Sequence, residues 1–382
     1  MDLDLPDELI LLGRTVRDFV EERLRPIEQQ VEDDGRIPAA LVAEMGRLGF
    51  FGLPFPEEYG GAAAGDLGYC VALEEFGRTS AAFSNLIGAH TSIGSMSIYL
   101  GGTEEQKRRY LPELAAGRKI AAFSLTEPSS GSDAASIQTS AVERGDGWVL
   151  NGTKIWVTNG PIADVVVVFA ANDRAKGAHG GISAFIVEKG FPGFRVGRVD
   201  DKMGLRGSDT AELIFEDCVV PGENVLGGII GSGFKTALGA LDVGRVSLAA
   251  GAVGSSQYLL ELATAHSRRR LQFGKPIAAN QAIQWMLADS AVEIHATRLM
   301  VHDAARKLDR GMRASAEAAM VKVYASEMAN RVVDRVLQVF GGLGYMKGSP
   351  VERAYRDARI LRIYEGTSEV QRMVIAEGLL AG

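Results

Sequence analysis

The stretch "GWVLNGTKIWVTNG", residues 147–160, decides how the rest of the chain is read. Two short runs alternating apolar and polar residues flank Asn151–Gly152, and an Asn–Gly pair in that setting predicts a β-hairpin. Around it lie "DVVVVFAA" (164–171), "GISAFIVEK" (181–189) and "TAELIFEDCVV" (210–220), short, β-branched and bounded by Gly, Asp or Pro. No helical periodicity separates them, so the strands are expected to pair antiparallel rather than through βαβ units.

Working outward, the pattern turns helical on both sides. Upstream, "DELILLGRTVRDFVEERLRPIEQQ" (7–30) places Leu9, Leu12, Val16, Phe19 and Val20 on one face. "AALVAEMGRLGFFG" (39–52) ends in glycine, and "TEEQKRRYLPELAAG" (103–117) opens on Thr103 with Gln106 three residues on, a capping box. Downstream of Pro221 and a glycine cluster, three long Ala-rich segments follow at 236–267, 280–308 and 316–340, apolar on wide faces. The expected organisation is mainly α with a central β-domain: a helical domain over 1–119, a β-domain over 120–228 and a helical bundle over 229–382.

Composition narrows the function. The chain has 382 residues, 46% hydrophobic and 23% charged, the profile of a soluble globular protein with more than one core. A net charge of −7 gives no electrostatic reason to expect nucleic acid or an anionic membrane as partner, with "SRRRLQFGK" (267–275) the best local basic patch. Cys70 and Cys218 form neither a CxxC motif nor a disulfide framework, as expected of a reducing compartment. No apolar run is read as long enough to span a membrane, and the start "MDLDLPDELI" lacks a basic n-region, so a cytoplasmic location is expected.

Common cofactor and catalytic motifs fail. In "GGIIGSGFKT" (227–236) Phe234 separates Gly233 from Lys235, which breaks the phosphate loop. "GGLGYMKG" (341–348) lacks the third glycine of a dinucleotide fingerprint and follows a helix. His295 and His302 share a predicted helix without an HExxH pattern, so no metal is expected, and no GxSxG elbow occurs. What remains is the hydroxyl-rich "AAFSLTEPSSGSDAASIQTS" (121–140), with Thr126, Ser129, Ser130 and Ser132. It suits the polar edge of a heteroaromatic ring or a phosphate, or is an ordinary Ser-rich loop. Trp156 and Thr158 fall two apart on one strand face, an indole wall beside a hydroxyl or a core tryptophan with a neighbour. In "IYEGTSEV" (363–370), Glu365 between an apolar pair and a glycine is either a solvated turn carboxylate or a placed one.

With these segments in hand the chain resembles the acyl-CoA dehydrogenase family. The resemblance is carried in order by "GTEEQKRRYLP" (102–112), "FSLTEPSSGSD" (123–133), "NGTKIWVTNG" (151–160), "KMGLRGSDT" (202–210), "RRRLQFGKPIAANQAIQ" (268–284), "QVFGGLGY" (338–345) and "RILRIYEGTSEVQR" (359–372). It implies an antiparallel, barrel-like middle domain, a C-terminal four-helix bundle and FAD held without covalent attachment or a Rossmann fingerprint.

Residue by residue, the resemblance implies that Phe123, Leu125, Thr126 and Ser132 line the flavin, with Trp156 and Thr158 against its other side and Thr158 near N5. Arg270, Phe273 and Gln281 would reach the FAD of a neighbouring subunit, with Gln338 and Gly342 at its diphosphate, and Thr367 and Glu369 in the cofactor-contacting turn. Ser132, Asp242, Arg245 and Gly366 would serve the substrate side, and Glu365 would be the base. Some branches carry the base at the position of Gly244, which cannot serve, and "AFSN" around Ser84 lacks the arginine of the dicarboxylyl branch.

The implied reaction takes a saturated acyl-CoA to the trans-2-enoyl-CoA: Glu365 removes the α-proton and a hydride passes to flavin N5. Ile363 and Tyr364 would keep the pocket apolar and raise the carboxylate's pKa, and Ser368 with Gln371 would form a capping box opening the last helix. An electron-transfer flavoprotein as acceptor and a homotetramer built as a dimer of dimers are the implied partners. Neighbouring readings on the same fold are a carrier-protein dehydrogenase, an oxidase or an enoyl-thioester reductase; a non-catalytic flavoprotein scaffold is the remote one. Acyl chain length would be set by the helix of the 80s and 90s and by the helix carrying Asp242.

Overall fold

Seven strands form one curled sheet: β1 (Ala121–Ser124), β2 (Ser140–Arg144), β3 (Gly147–Thr158), β4 (Val165–Ala171), β5 (Ile182–Glu188), β6 (Phe194–Val199) and β7 (Thr210–Pro221). The strand order is β1–β4–β2–β3–β7–β6, with β5 on β4. The computed structural model describes residues 5–380. The expectations for residues 1–4 and 381–382, including the start of the acidic N-terminus, lie outside the described residues.

Every residue of β4 is buried, because its alternating side chains serve two cores. Val165, Val167 and Phe169 pack against Tyr110, Leu111 and Leu114 of a covering helix. Val166, Val168 and Ala170 meet Leu150, Val157, Leu213 and Phe215 inside the curl. The sheet is not wholly antiparallel as expected: β1 pairs parallel to β4, and β2 meets β4 parallel at Ser140 and Ala171. The chain leaves β1 through a long loop and the β2–β3 ribbon before returning as β4, and only such a long connection permits parallel neighbours.

Asn151–Gly152 does not turn the chain. The reversal between β2 and β3 lies at Gly145, in the left-handed region at φ 65°. β3 runs straight through Asn151, and its pairing with β7 slips there by a bulge. The Asn151 amide exchanges two hydrogen bonds with Asp217 on β7, donating from Nδ2 at 3.1 Å and accepting from the backbone N–H at 2.8 Å. Gly152 serves close approach: a Cβ there would stand 2.5 Å from the Thr139 hydroxyl.

The N-terminal helices are α1 (Asp7–Phe19), α2 (Glu28–Asp34), α3 (Ala39–Arg47), α4 (Gly65–Phe76), α5 (Ala81–Gly88), α6 (Met96–Gly101) and α7 (Glu104–Ala115), with a π-helical segment over Ala89–Ser95 continuing α5. The Thr103–Gln106 capping box opens α7 as expected. After the sheet come α8 (Gly233–Arg269), α9 (Gln281–Asp309), α10 (Ser315–Phe340), α11 (Gly342–Tyr345), α12 (Pro350–Ala358) and α13 (Ser368–Leu380). The long helices α8, α9 and α10 pack on one another, and α13 lies on α10.

Contrary to the expectation from sequence, α8 is long and apolar enough to span a membrane, but 72% of that window is buried inside the protein. It is the central core helix, where Val246, Ala250 and Val253 join Leu73 of α4 and Val321 and Met328 of α10. Glycines let α4 and α8 touch backbone to backbone. A methyl group on Gly77 would overlap the Gly251 carbonyl, and one on Gly254 the Glu74 carbonyl.

The loop between β1 and β2 is tied to β3 by a buried ion pair. Lys154 and Glu127 are 0% and 3% exposed and lie 2.7 Å apart. Lys154 also donates to the Leu125 carbonyl at 2.9 Å, and Glu127 accepts from the Gln138 and Thr139 backbone N–H groups. Burial pushes the Lys154 ammonium down to about 8, opposed by Glu127. Removing one partner of a buried pair strands the other, at roughly 3–5 kcal/mol. Lys154→Met is therefore expected to lower the thermal unfolding midpoint by several degrees and to open residues 125–139 to proteolysis. An unchanged midpoint and an uncut loop would count against this anchoring role.

Candidate active site

Two consecutive residues between α12 and α13 hold left-handed backbone: Glu365 at φ 55° and Gly366 at φ 88°. Glycine tolerates this freely, but a glutamate does so only where its surroundings enforce it. The enforcement comes from side chains bonding the two carbonyls. The Glu365 carbonyl accepts from Gln371 Nε2 at 3.0 Å and Arg245 Nε at 3.2 Å. The Gly366 carbonyl accepts from the Lys322 ammonium and from Gln371 Nε2 at 3.3 Å. Lys322 is fully buried.

The cap of α13 differs from expectation. Thr367, not Ser368, is the capping residue, its hydroxyl accepting from the Val370 N–H at 3.2 Å. Gln371 reaches past the cap to the Glu365 and Gly366 carbonyls, so no Ser368–Gln371 box forms. The Ser368 hydroxyl is buried without a hydrogen-bond partner.

The Glu365 carboxylate sits against α8. Its Oε2 is buried and unpartnered. Gly244 makes the space, because a Cβ there would lie 2.6 Å from Oε2 and 2.8 Å from Ile93 Cγ2. Burial raises the Glu365 pKa to about 7, with the Arg245 guanidinium and the Lys322 ammonium holding it from going higher. Burial likewise pushes Lys322 down to about 8, with Glu365 opposing. Arg245 is fixed in turn by Asp242 at 2.8 Å, whose other oxygen accepts from the Ser315 hydroxyl.

A cavity of about 520 Å³ opens before the carboxylate, bordered on that side by Tyr364, Glu365, Gly366 and Arg245. Across it stand Phe123, Leu125, Thr126 and Ser132 from the loop after β1, with Trp156 and Thr158 from β3. Strand alternation is not what aligns that last pair. Pairing with β7 slips between Lys154 and Val157, and Trp156 takes φ 57°, which turns out an indole 63% exposed. Ile363 is exposed and does not border the cavity, so the apolar lining near Glu365 comes from Tyr364, Leu361 and Ile93 instead.

The structure thus gathers most of the expected inner residues but not all of the site. Asp242 supports Arg245 from behind, and Thr367 and Glu369 belong to the cap rather than the cavity wall. Arg270, Phe273 and Gln281 lie elsewhere, at a small hairpin and the start of α9, with Phe273 99% exposed at its tip. Gln338 and Gly342 are exposed near the end of α10. Lys322 and the Lys154–Glu127 pair escaped the sequence reading. Lys322 left one trace, a lysine on the α10 face that buries Ala318, Ala319, Ala325 and Ser326.

The wall opposite Glu365 combines a broad exposed indole, two threonine hydroxyls and a seryl loop held by a buried ion pair. A flat heteroaromatic ring with a polar edge fits that donor set and that uncovered apolar surface.

Comparison with known proteins agrees over the whole length. Models of the acyl-CoA dehydrogenase N-terminal, middle and C-terminal domains match residues 6–118, 122–218 and 231–380. The chain is 45% identical over 380 residues to an acyl-CoA dehydrogenase of Bacillus subtilis, covering 100% of both. It is 45% identical over 376 residues to a short-chain specific acyl-CoA dehydrogenase of Clostridium acetobutylicum, covering 98% of this chain and 99% of the other.

Among solved structures, butyryl-CoA dehydrogenase from Megasphaera elsdenii superposes with a TM-score of 0.97 at 42% identity, covering 100% of both chains. A structure described as an electron transferring flavoprotein of Acidaminococcus fermentans contains a chain with a TM-score of 0.98 at 45% identity, again covering 100% of both. An acyl-CoA dehydrogenase complexed with FAD from Bacillus anthracis gives a TM-score of 0.93 at 37% identity, covering 99% of this chain and 69% of the other. The chain belongs to the acyl-CoA dehydrogenase family.

Proposed function

We propose that the protein dehydrogenates a saturated acyl-CoA thioester between its α- and β-carbons, giving the trans-2-enoyl-CoA, with Glu365 as the base. One observation carries this: an unpartnered carboxylate oxygen, held by left-handed backbone and facing the cavity, with its pKa lifted to about 7. A base poised near neutral pH combines an ionised fraction with real proton affinity.

FAD is the cofactor this reading requires, and Phe123, Leu125, Thr126, Ser132, Trp156 and Thr158 would hold its ring. When bound, it supplies the acceptor for the hydride equivalent lost from the β-carbon. The protein does the rest. Substrate entering the cavity expels water from around Glu365 and strengthens it as a base. The Glu365 and Gly366 carbonyls are committed to Lys322, Arg245 and Gln371, so neither is free to face a thioester oxygen that gains negative charge. The Glu365 N–H is the backbone donor that the family resemblance implies for that oxygen.

The exposed Phe273 tip and the exposed Gln338 and Gly342 support a second copy completing the cofactor site, as in a homotetramer. An electron-transfer flavoprotein is the proposed acceptor, supported by the likeness to the Acidaminococcus chain.

Glu365→Gln is expected to retain FAD and bind acyl-CoA, while flavin bleaching by saturating acyl-CoA under anaerobic conditions slows about 10²–10⁴-fold. Bleaching at a near-normal rate would remove Glu365 from the role of base. In the kcat/KM profile the rate should climb with pH through about 7 and level off above it, as Glu365 loses its proton. Lys322→Met takes away a cation that favours the ionised form, so that limb should move to higher pH, and Lys322→Arg should largely restore it. A limb that stays put in Lys322→Met would reduce Lys322 to a packing role.

A further inference from the structure

Among the described strands, β1 is an edge strand with β4 on one side only. Ile120, just before it, turns its carbonyl towards β4 and accepts from the Val165 N–H at 3.1 Å. Successive backbone groups of a strand point to alternate edges, so the Ala121 N–H faces away from the sheet. Ala121 is fully buried, and a buried N–H needs an acceptor. A side chain supplies it: His90 Nδ1, at 2.9 Å.

His90 is itself fully buried. Its other ring nitrogen, Nε2, lies 3.0 Å from the Leu114 carbonyl near the end of α7. A carbonyl only accepts, so Nε2 carries the proton and Nδ1 keeps the lone pair that Ala121 requires. Burial pushes the imidazole down to about 4, so the ring is neutral at pH 7 and its two partners select the tautomer. The ring packs edge-on against Phe51 with centroids 4.7 Å apart, and the Thr91 hydroxyl donates to the Phe51 carbonyl at 3.0 Å.

The π-helical segment Ala89–Ser95 that carries His90 stands between the two walls of the cavity. Gly94 lets it touch β1, because an added Cβ would lie 2.9 Å from Ala121 Cβ. Ile93 reaches the other way, to Gly244 beside the Glu365 carboxylate. In an α-helix residues three apart share a face. The wider π turn, bonded i to i+5, swings His90 and Ile93 apart, so that one meets the strand while the other meets α8. Strand β1 carries Phe123 and leads directly into Leu125 and Thr126, whereas His90 does not border the cavity.

We propose that His90 is a positioning residue: through the Ala121 N–H it fixes the wall made by Phe123, Leu125 and Thr126 against the π-helical segment beside Glu365. This rests on the reading of that wall as the flavin's and adds to it a residue outside the cavity.

The test compares His90→Asn with His90→Gln in the FAD-loaded full chain. Asparagine can set its carbonyl oxygen where Nδ1 stands and keep the Ala121 bond, whereas glutamine reaches the Nε2 position and keeps only the Leu114 bond. Both lose the ring, so packing alone would affect them alike. FAD release on dilution, followed by flavin fluorescence, should be about tenfold or more faster in His90→Gln than in His90→Asn. Equal release rates, or thermal midpoints that fall together with FAD retention unchanged, would overturn the proposal and leave the flavin reading standing. A wild type that holds no FAD would overturn both. One check needs no variant to fold: in the wild type the Ala121 amide should exchange with solvent deuterium about 100-fold or more slower than an open chain. Free exchange there would overturn the proposal.

Discussion

The site depends on the bonds that hold the carbonyls of Glu365 and Gly366. Two successive left-handed residues form a sharp turn that an isolated peptide containing glutamate would not populate. Lys322, Arg245 and Gln371 make that turn the stable one by satisfying both carbonyls from below. The carboxylate is thereby pushed up against Gly244 with an oxygen left unpaired. Burying Lys322 costs desolvation, and a bond to a neutral carbonyl alone would be weak compensation. The nearby Glu365 charge is what favours keeping Lys322 ionised, so cation and carboxylate sustain each other's charged form.

The opposite wall is fixed by the same device in another part of the fold. Lys154 and Glu127 bind the loop after β1 to β3, and the Ile155 N–H donates to the Thr126 carbonyl at 3.0 Å, so Thr126 and Trp156 are set by one local network. The cavity thus lies between a helical wall and a sheet wall, each made rigid by a buried charge pair. Under the proposed reaction, rigidity of both walls would matter, since small displacements of the reacting groups are costly to rate.

Much of this order was legible in the sequence, and the misses share a cause. Helix, strand and helix regimes follow from periodicity, and Thr103 with Gln106 caps α7 through both expected bonds because capping is a contact within four residues. The motif around Glu365 was legible, and the structure sets that residue at the cavity. Asn151–Gly152 misled because its glycine is required by Thr139 and its asparagine by Asp217, both distant in sequence. The parallel β1–β4 pair, the bulge at Trp156 and the capping role of Thr367 rather than Ser368 likewise depend on tertiary partners. Lys322 was missed because a lysine in a helix ordinarily reaches solvent, and only the fold shows what it meets.

Burial is what connects the chemistry to the substrate. The apolar surroundings that lift Glu365 to about 7 would, unopposed, leave it protonated at neutral pH. The charges of Arg245 and Lys322 oppose that rise, while the donors of both side chains hold the two backbone carbonyls. Along the cavity between α5 and α8, the hydroxyls of Ser84, Ser92 and Ser247 bond carbonyls of their own helical segments. Under the proposed reaction, an acyl group entering the cavity would exclude water from around the carboxylate. The burial that shapes the cavity would, under the same reaction, also set the strength of the base.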